Sequence, residues 1–205
     1  MKPKIIRTVD EMLKTMGRNE IFPLKLIFAN MWLFRPLVKK LLPVLGADTR
    51  AIVTSTFAFT ILNGGNQSNV IPNHVEANVN VRLAPFNTID EVEQHIRKVI
   101  KDDQIVITRG YQFQNTKECD FTTPEYNIVK QTVLETYNDT IVAPFIMIGG
   151  TDAKHYSQIS DCVIRFSPMR VSKEDRKGVH GLNERISVES LNKCLEFYQR
   201  LLQKI

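Results

Sequence analysis

Three places in the sequence carry residue types that can do chemistry. Arg82 closes an alternating run in which His74, Glu76, Asn78, Asn80 and Arg82 fall on one side and Val75, Ala77, Val79, Val81 and Leu83 on the other. Period two puts the polar set on a single strand face. A guanidinium rooted there offers a rigid two-donor fork for a carboxylate; the plain alternative is a surface salt bridge with Glu76. Gly149-Gly150-Thr151-Asp152 follow an apolar run and precede a helical stretch. Glycines at such a point let backbone N–H groups approach an anion, or the four residues are a simple strand-to-helix turn capped by Asp152. His180 sits in a loop before Gly181, with Asn183 and Glu184 close by, and is either a metal ligand or an ordinary surface histidine. His74, His95 and His155 have less to recommend them, and His95, inside a charged helix, is expected in solvent.

The elements that must position these residues can be read from periodicity. Ile5, Ile6, Val9, Met12, Leu13 and Met16 recur at helical spacing, with Gly17 as a stop. Residues 23–46 are apolar and basic and hold Pro23, Pro36 and Pro43, which predicts short helices broken at each proline and closing at Gly46. Residues 51–62 are rich in β-branched and aromatic types and predict a strand, followed by a turn at Asn63-Gly64-Gly65-Asn66 and the alternating strand over 74–83. Thr88-Ile89-Asp90-Glu91 is a capping box opening a helix to about Lys101, and 104–113 predicts another strand. Strand, strand, helix, strand over 50–113 describes an α+β sandwich with helices on one sheet face. Beyond it come a helix capped by Thr123-Pro124, strands at 141–148 and 162–166, and a final helix over 188–204 behind Ser187. The alternation of strand and helix there predicts part of an α/β layer, with domains at 1–113 and 114–205.

Composition narrows the class. Residues 1–50 hold ten Lys/Arg against four Asp/Glu, and the remaining residues hold 17 against 18. The basic residues are scattered among apolar ones without a dense block or a base-stacking motif, so a solvated helix face is expected and neither nucleic acid nor membrane is expected as a partner. The longest apolar run, Leu26 to Phe34, is far short of the roughly 20 residues a spanning helix needs. Met1 to Lys14 carries charges throughout with no apolar core of a leader, and three unpaired-looking cysteines, Cys119, Cys162 and Cys194, fit reduced thiols. A cytoplasmic location is the expectation.

Taken in order, the motifs resemble one family. Asn69-Val70-Ile71-Pro72 and Val79-Asn80-Val81-Arg82-Leu83-Ala84-Pro85 look like the lid, or dimerisation, domain of M20 zinc metallopeptidases. Gly149-Gly150-Thr151-Asp152-Ala153 and His180-Gly181-Leu182-Asn183-Glu184-Arg185-Ile186 are similar to the closing half of that family's catalytic domain. Asn30-Met31-Trp32-Leu33-Phe34 with Pro36-Leu37 resembles the branch of Gly-X carboxypeptidases and N-acyl-amino-acid hydrolases. The resemblance implies an α/β protein with an α+β lid: a ferredoxin-like antiparallel sheet with helices on one face, then the C-terminal half of a zinc-peptidase α/β domain.

It also implies roles. Two bridged zinc ions activate a water that attacks the amide of a dipeptide or N-acyl amino acid. By position, His180 would ligate one zinc, Asn69 would polarise the scissile carbonyl, and Arg82 would grip the free α-carboxylate beside Gly149, Gly150 and Thr151. A homodimer through the lid is implied as well. The family's H-x-D motif and Glu-Glu pair are absent: no histidine here is followed by x-Asp and no Glu-Glu occurs. One histidine cannot assemble a two-zinc centre. The expectation is therefore a fragment of a two-zinc hydrolase, inactive alone and holding no zinc by itself; the alternative is a non-catalytic binding or dimerisation module that keeps the lid and the carboxylate pocket.

Overall fold

Burial of one apolar stripe organises the first half of the chain. In the computed structural model, which describes residues 1–113 and 115–205, helix α1 (Arg7–Gly17) buries Val9, Met12 and Leu13. They pack with Ile5, with Met31, Val38 and Leu42 of α3 (Met31–Leu45), and with Ile52 and Val53. A short helix α2 (Leu24–Ala29) turns the chain between them. Gly17 permits that turn, because a Cβ there would overlap the Cβ of Phe28.

Contrary to the expectation of proline-broken helices, α3 runs unbroken through Pro36 and Pro43. Each proline removes one backbone hydrogen bond, but Met31, Val38 and Leu42 along the helix are buried in one cluster with Val9, Met12 and Leu13 of α1 and with Ile52 and Val53. Tertiary packing of one face, more than local propensity, holds such a helix. The predicted strand at 51–62 starts late for a related reason. Ala47–Ala51 form helix α4, Ile52 and Val53 fill the core, and the Lys4 amide donates to the Val53 carbonyl at 2.8 Å.

Strand β1 (Thr56–Gly64) then pairs antiparallel with β2 (Val75–Arg82), from Thr56 opposite Arg82 to Gly64 opposite Val75, with an irregularity between Phe59 and Ile61. Gly65, at φ 69°, starts the connecting loop in the left-handed region that glycine tolerates. Helix α5 (Ile89–Ile100) opens with the predicted capping box: Thr88 Oγ1 accepts from the Glu91 amide at 3.2 Å, and Glu91 accepts from the Thr88 amide at 3.0 Å. Hydrogen bonds from the Thr88 amide and the Asn87 side chain hold the Glu91 carboxyl below its ordinary range.

The second half contains α6 (Pro124–Thr136), α7 (Ala153–Tyr156), α8 (Lys173–Lys177) and α9 (Val188–Leu202), with Thr123 and Ser187 as N-caps. Val133, Tyr137 and Phe197 form its core. The predicted strands at 104–113, 141–148 and 162–166 are not strands among the described residues, which hold one two-stranded sheet. A strand requires a neighbour for its backbone donors and acceptors, and these segments find other uses. Arg109 reaches α5, bonding Asp90 and Glu93 at 2.6 Å each. Ala143, Ile146 and Ile148 pack on the first core and Val142 on the second, so 141–148 is a bridge between the two. The mixture of helices with an antiparallel pair is consistent with an α+β lid; no α/β sheet layer is formed among the described residues. Gln114, where the second domain is expected to begin, lies outside the described residues.

The cysteines depart from expectation too. Cys119 and Cys162 are joined as a disulfide, and only Cys194, which is buried, is free among them. Segments 116–119 and 161–165 run together, with Lys117 and Asp161 paired at 2.5 Å and Arg165 donating to the Thr116 hydroxyl. A separation of 43 residues gave no local sign of this encounter.

Candidate functional site

Arg82 is the last residue of β2 and lies opposite Thr56. Phe57, one residue on, faces α5, its ring 6.1 Å from that of His95. Alternation therefore puts Arg82 on the sheet face away from α5. From there its Nη1 donates to the carbonyl oxygen of Ile148 at 3.0 Å. The lid arginine thus meets the residue directly before Gly149-Gly150-Thr151.

Around that loop the space is open: a Cβ on Gly149 or Gly150 would meet nothing within 4 Å. Thr151 Oγ1 accepts from the Ala153 amide at 3.4 Å. The helix that follows, α7, is only four residues long, and Asp152 makes no side-chain cap to it. A dipole of that length adds little to the attraction of an anion here. A second cation follows the loop in the chain. Lys154 donates to Tyr111 Oη at 3.1 Å and lies 3.9 Å from the centre of the Phe113 ring. Sequence reasoning missed it, although Tyr111 and Phe113, two residues apart in a segment predicted as a strand, were a legible sign of two rings on one side.

The other expected site residues stand apart. Asn69 is exposed in the loop at the far end of the hairpin from Arg82. Eight strand residues separate the loop from the sheet's base, which at strand rise is about 25 Å. His180, exposed at φ 62°, donates its amide to Glu184 Oε2 at 3.2 Å within its own loop. That loop is tied down by Arg185 on Asp175 at 2.6 Å. His95, expected in solvent, is half-buried and accepts from the Met1 amino group at 2.9 Å; burial, then the neighbouring positive charges, push its pKa down.

Among the described residues no three of His, Cys, Asp and Glu come close enough to hold a metal ion. A catalytic zinc is held by about three protein ligands. The donors beside His180 do not by themselves fit one.

The family model described as a peptidase dimerisation domain of the M20 group matches residues 4–107. A probable carboxypeptidase S-like 2 of Dictyostelium discoideum is 33% identical over 191 residues, 91% of this chain and 36% of its own length. An N-fatty-acyl-amino acid synthase/hydrolase PM20D1 of Xenopus tropicalis is 38% identical over 183 residues, 89% of this chain and 36% of its own. The human PM20D1 is 31% identical over 199 residues, covering 96% and 39%. The chain therefore spans little more than a third of the length of these relatives. No solved structure matches it.

Proposed function

Because this chain belongs to the M20 peptidase dimerisation-domain family, we propose that it supplies the lid and the carboxylate-binding part of a zinc-dependent hydrolase. The substrates are dipeptides or N-acyl amino acids with a free α-carboxylate. Curated relatives named as a probable carboxypeptidase S-like protein and as N-fatty-acyl-amino acid synthase/hydrolases support the reaction class. The observation that supports the reading is the hydrogen bond from Arg82 to the Ile148 carbonyl, the residue that precedes Gly149 in the chain.

In this reading Arg82 turns its fork to the α-carboxylate, helped by backbone N–H groups of Gly149 and Gly150 and the Thr151 hydroxyl. Asn69 sits too far along the hairpin to share that carboxylate's site in the same chain. It serves instead as carbonyl-polarising donor in a second protomer of a lid-to-lid homodimer. His180 contributes one ligand to a metal centre, whose remaining ligands and general base belong to residues outside this sequence. The chain alone hydrolyses nothing. The thin donor set around His180 also favours a second reading, a non-catalytic binding or dimerisation module. Both readings need the carboxylate pocket; only the first needs metal delivered to His180.

The test is calorimetric titration of the chain with an N-acyl amino acid and with the matching α-amide. The acid is expected to bind at least about tenfold tighter, as a charge-assisted pair contributes about 1.5–3 kcal/mol, and Arg82→Gln is expected to erase the difference. Equal binding of acid and amide overturns the assignment.

A further inference from the structure

From Ile21 to Leu45 the chain carries four cations, Lys25, Arg35, Lys39 and Lys40, and no acidic residue. The structure folds this span into α2 and α3 and leaves much of its apolar surface uncovered. Along α3, Leu33, Leu37, Leu41 and Val44 recur at spacings of four, four and three, so they form one line beside the buried stripe. Their exposures are 56, 47, 44 and 72%, and Trp32, which precedes Leu33 in the chain and points about 100° around the helix from it, is 79% exposed. Arg35 turns inward to Asp10, at 2.7 Å. Lys25, Lys39 and Lys40 are exposed and make no ion pair among the described residues.

We propose that the α2–α3 surface docks on an anionic lipid bilayer, lying in the plane of the interface. No helix among the described residues is long and apolar enough to cross a membrane, so the contact is peripheral. An interfacial helix needs an apolar stripe with tryptophan or leucine, cations on its polar side, and a buried depth of about 5–10 Å. The exposed leucines supply the first. Lys39 and Lys40 supply the second, their stems long enough to keep the ammonium groups at the headgroups. Trp32 is of the type that settles at that boundary. The absence of any carboxylate over the span is what selects an anionic lipid surface over a protein face of mixed charge. The surface is remote in sequence from Arg82 and Ile148, and the proposal does not rest on the carboxylate site.

Trp32 is the only tryptophan in the chain, so its emission reports on this surface directly. The full chain is mixed with phosphatidylcholine vesicles, with and without phosphatidylserine, and followed by tryptophan emission and co-sedimentation. The expected result is a blue shift and sedimentation with the serine-containing vesicles, both reduced by added salt. Lys39→Glu with Lys40→Glu is expected to weaken partition at least about tenfold. Leu33→Ser with Leu37→Ser is expected to abolish the shift while far-ultraviolet dichroism is retained. If the leucine variant unfolds, the lysine variant decides, since both lysines are exposed. Unchanged emission with anionic vesicles overturns the proposal. So does a Trp32 shift that follows protein concentration without lipid, which would assign the face to a second copy.

Discussion

Asp10 is a carboxylate that the core could not hold unpaired. It is only 6% exposed and meets Lys14 and Arg35 at 2.7 Å each, so it both neutralises itself and ties α1 to α3. Asp10→Ala is expected to lower stability by about 2 kcal/mol in urea unfolding, the value of charge-assisted bonds. It falls short of the cost of orphaning a buried charge, because Arg35 is half exposed and recovers water. Arg82 shows what is legible at this scale. Its face follows from alternation alone, yet its partner, the Ile148 carbonyl, is 66 residues away, and nothing in local spacing announces such a contact.

Helices with caps were the most readable elements. Thr88, Thr123 and Ser187 each accept the expected backbone bond, because a cap is satisfied within three residues of itself. Strands were readable only where two candidates met, as β1 and β2 do. The close turn between α1 and α2 gives a test at the element scale. Gly17→Val forces a side chain into the space of Phe28 and should cost about 1–3 kcal/mol by overpacking, seen as a lower thermal midpoint. An unchanged midpoint would mean that α2 can move away from α1 freely.

At the scale of the molecule, the accessible surface is 15369 Å², against about 10,000 Å² for a compact monomer of this mass. Part of the excess is on the hairpin, where Phe59, Ile61 and Leu62 are 70, 51 and 70% exposed and neither strand has a second neighbour among the described residues. Uncovered edges of this kind seek partners, and the matched family is a dimerisation domain. Light scattering over rising concentration should show a dimer, weakened by Phe59→Lys. A monomer throughout the range would remove the hairpin as the self-association surface.

By itself the sequence determined the capped helices, the alternating strand, the face on which Arg82 stands and the family, because each depends on neighbours two to four residues away or on a linear motif. Tertiary structure alone decided that α3 survives its prolines, that Cys119 finds Cys162, that 141–148 joins two cores instead of extending a sheet, and that Arg82 reaches the Gly149 loop. Those outcomes are set by which distant surfaces bury one another, and burial between remote segments leaves no periodicity for a sequence to display.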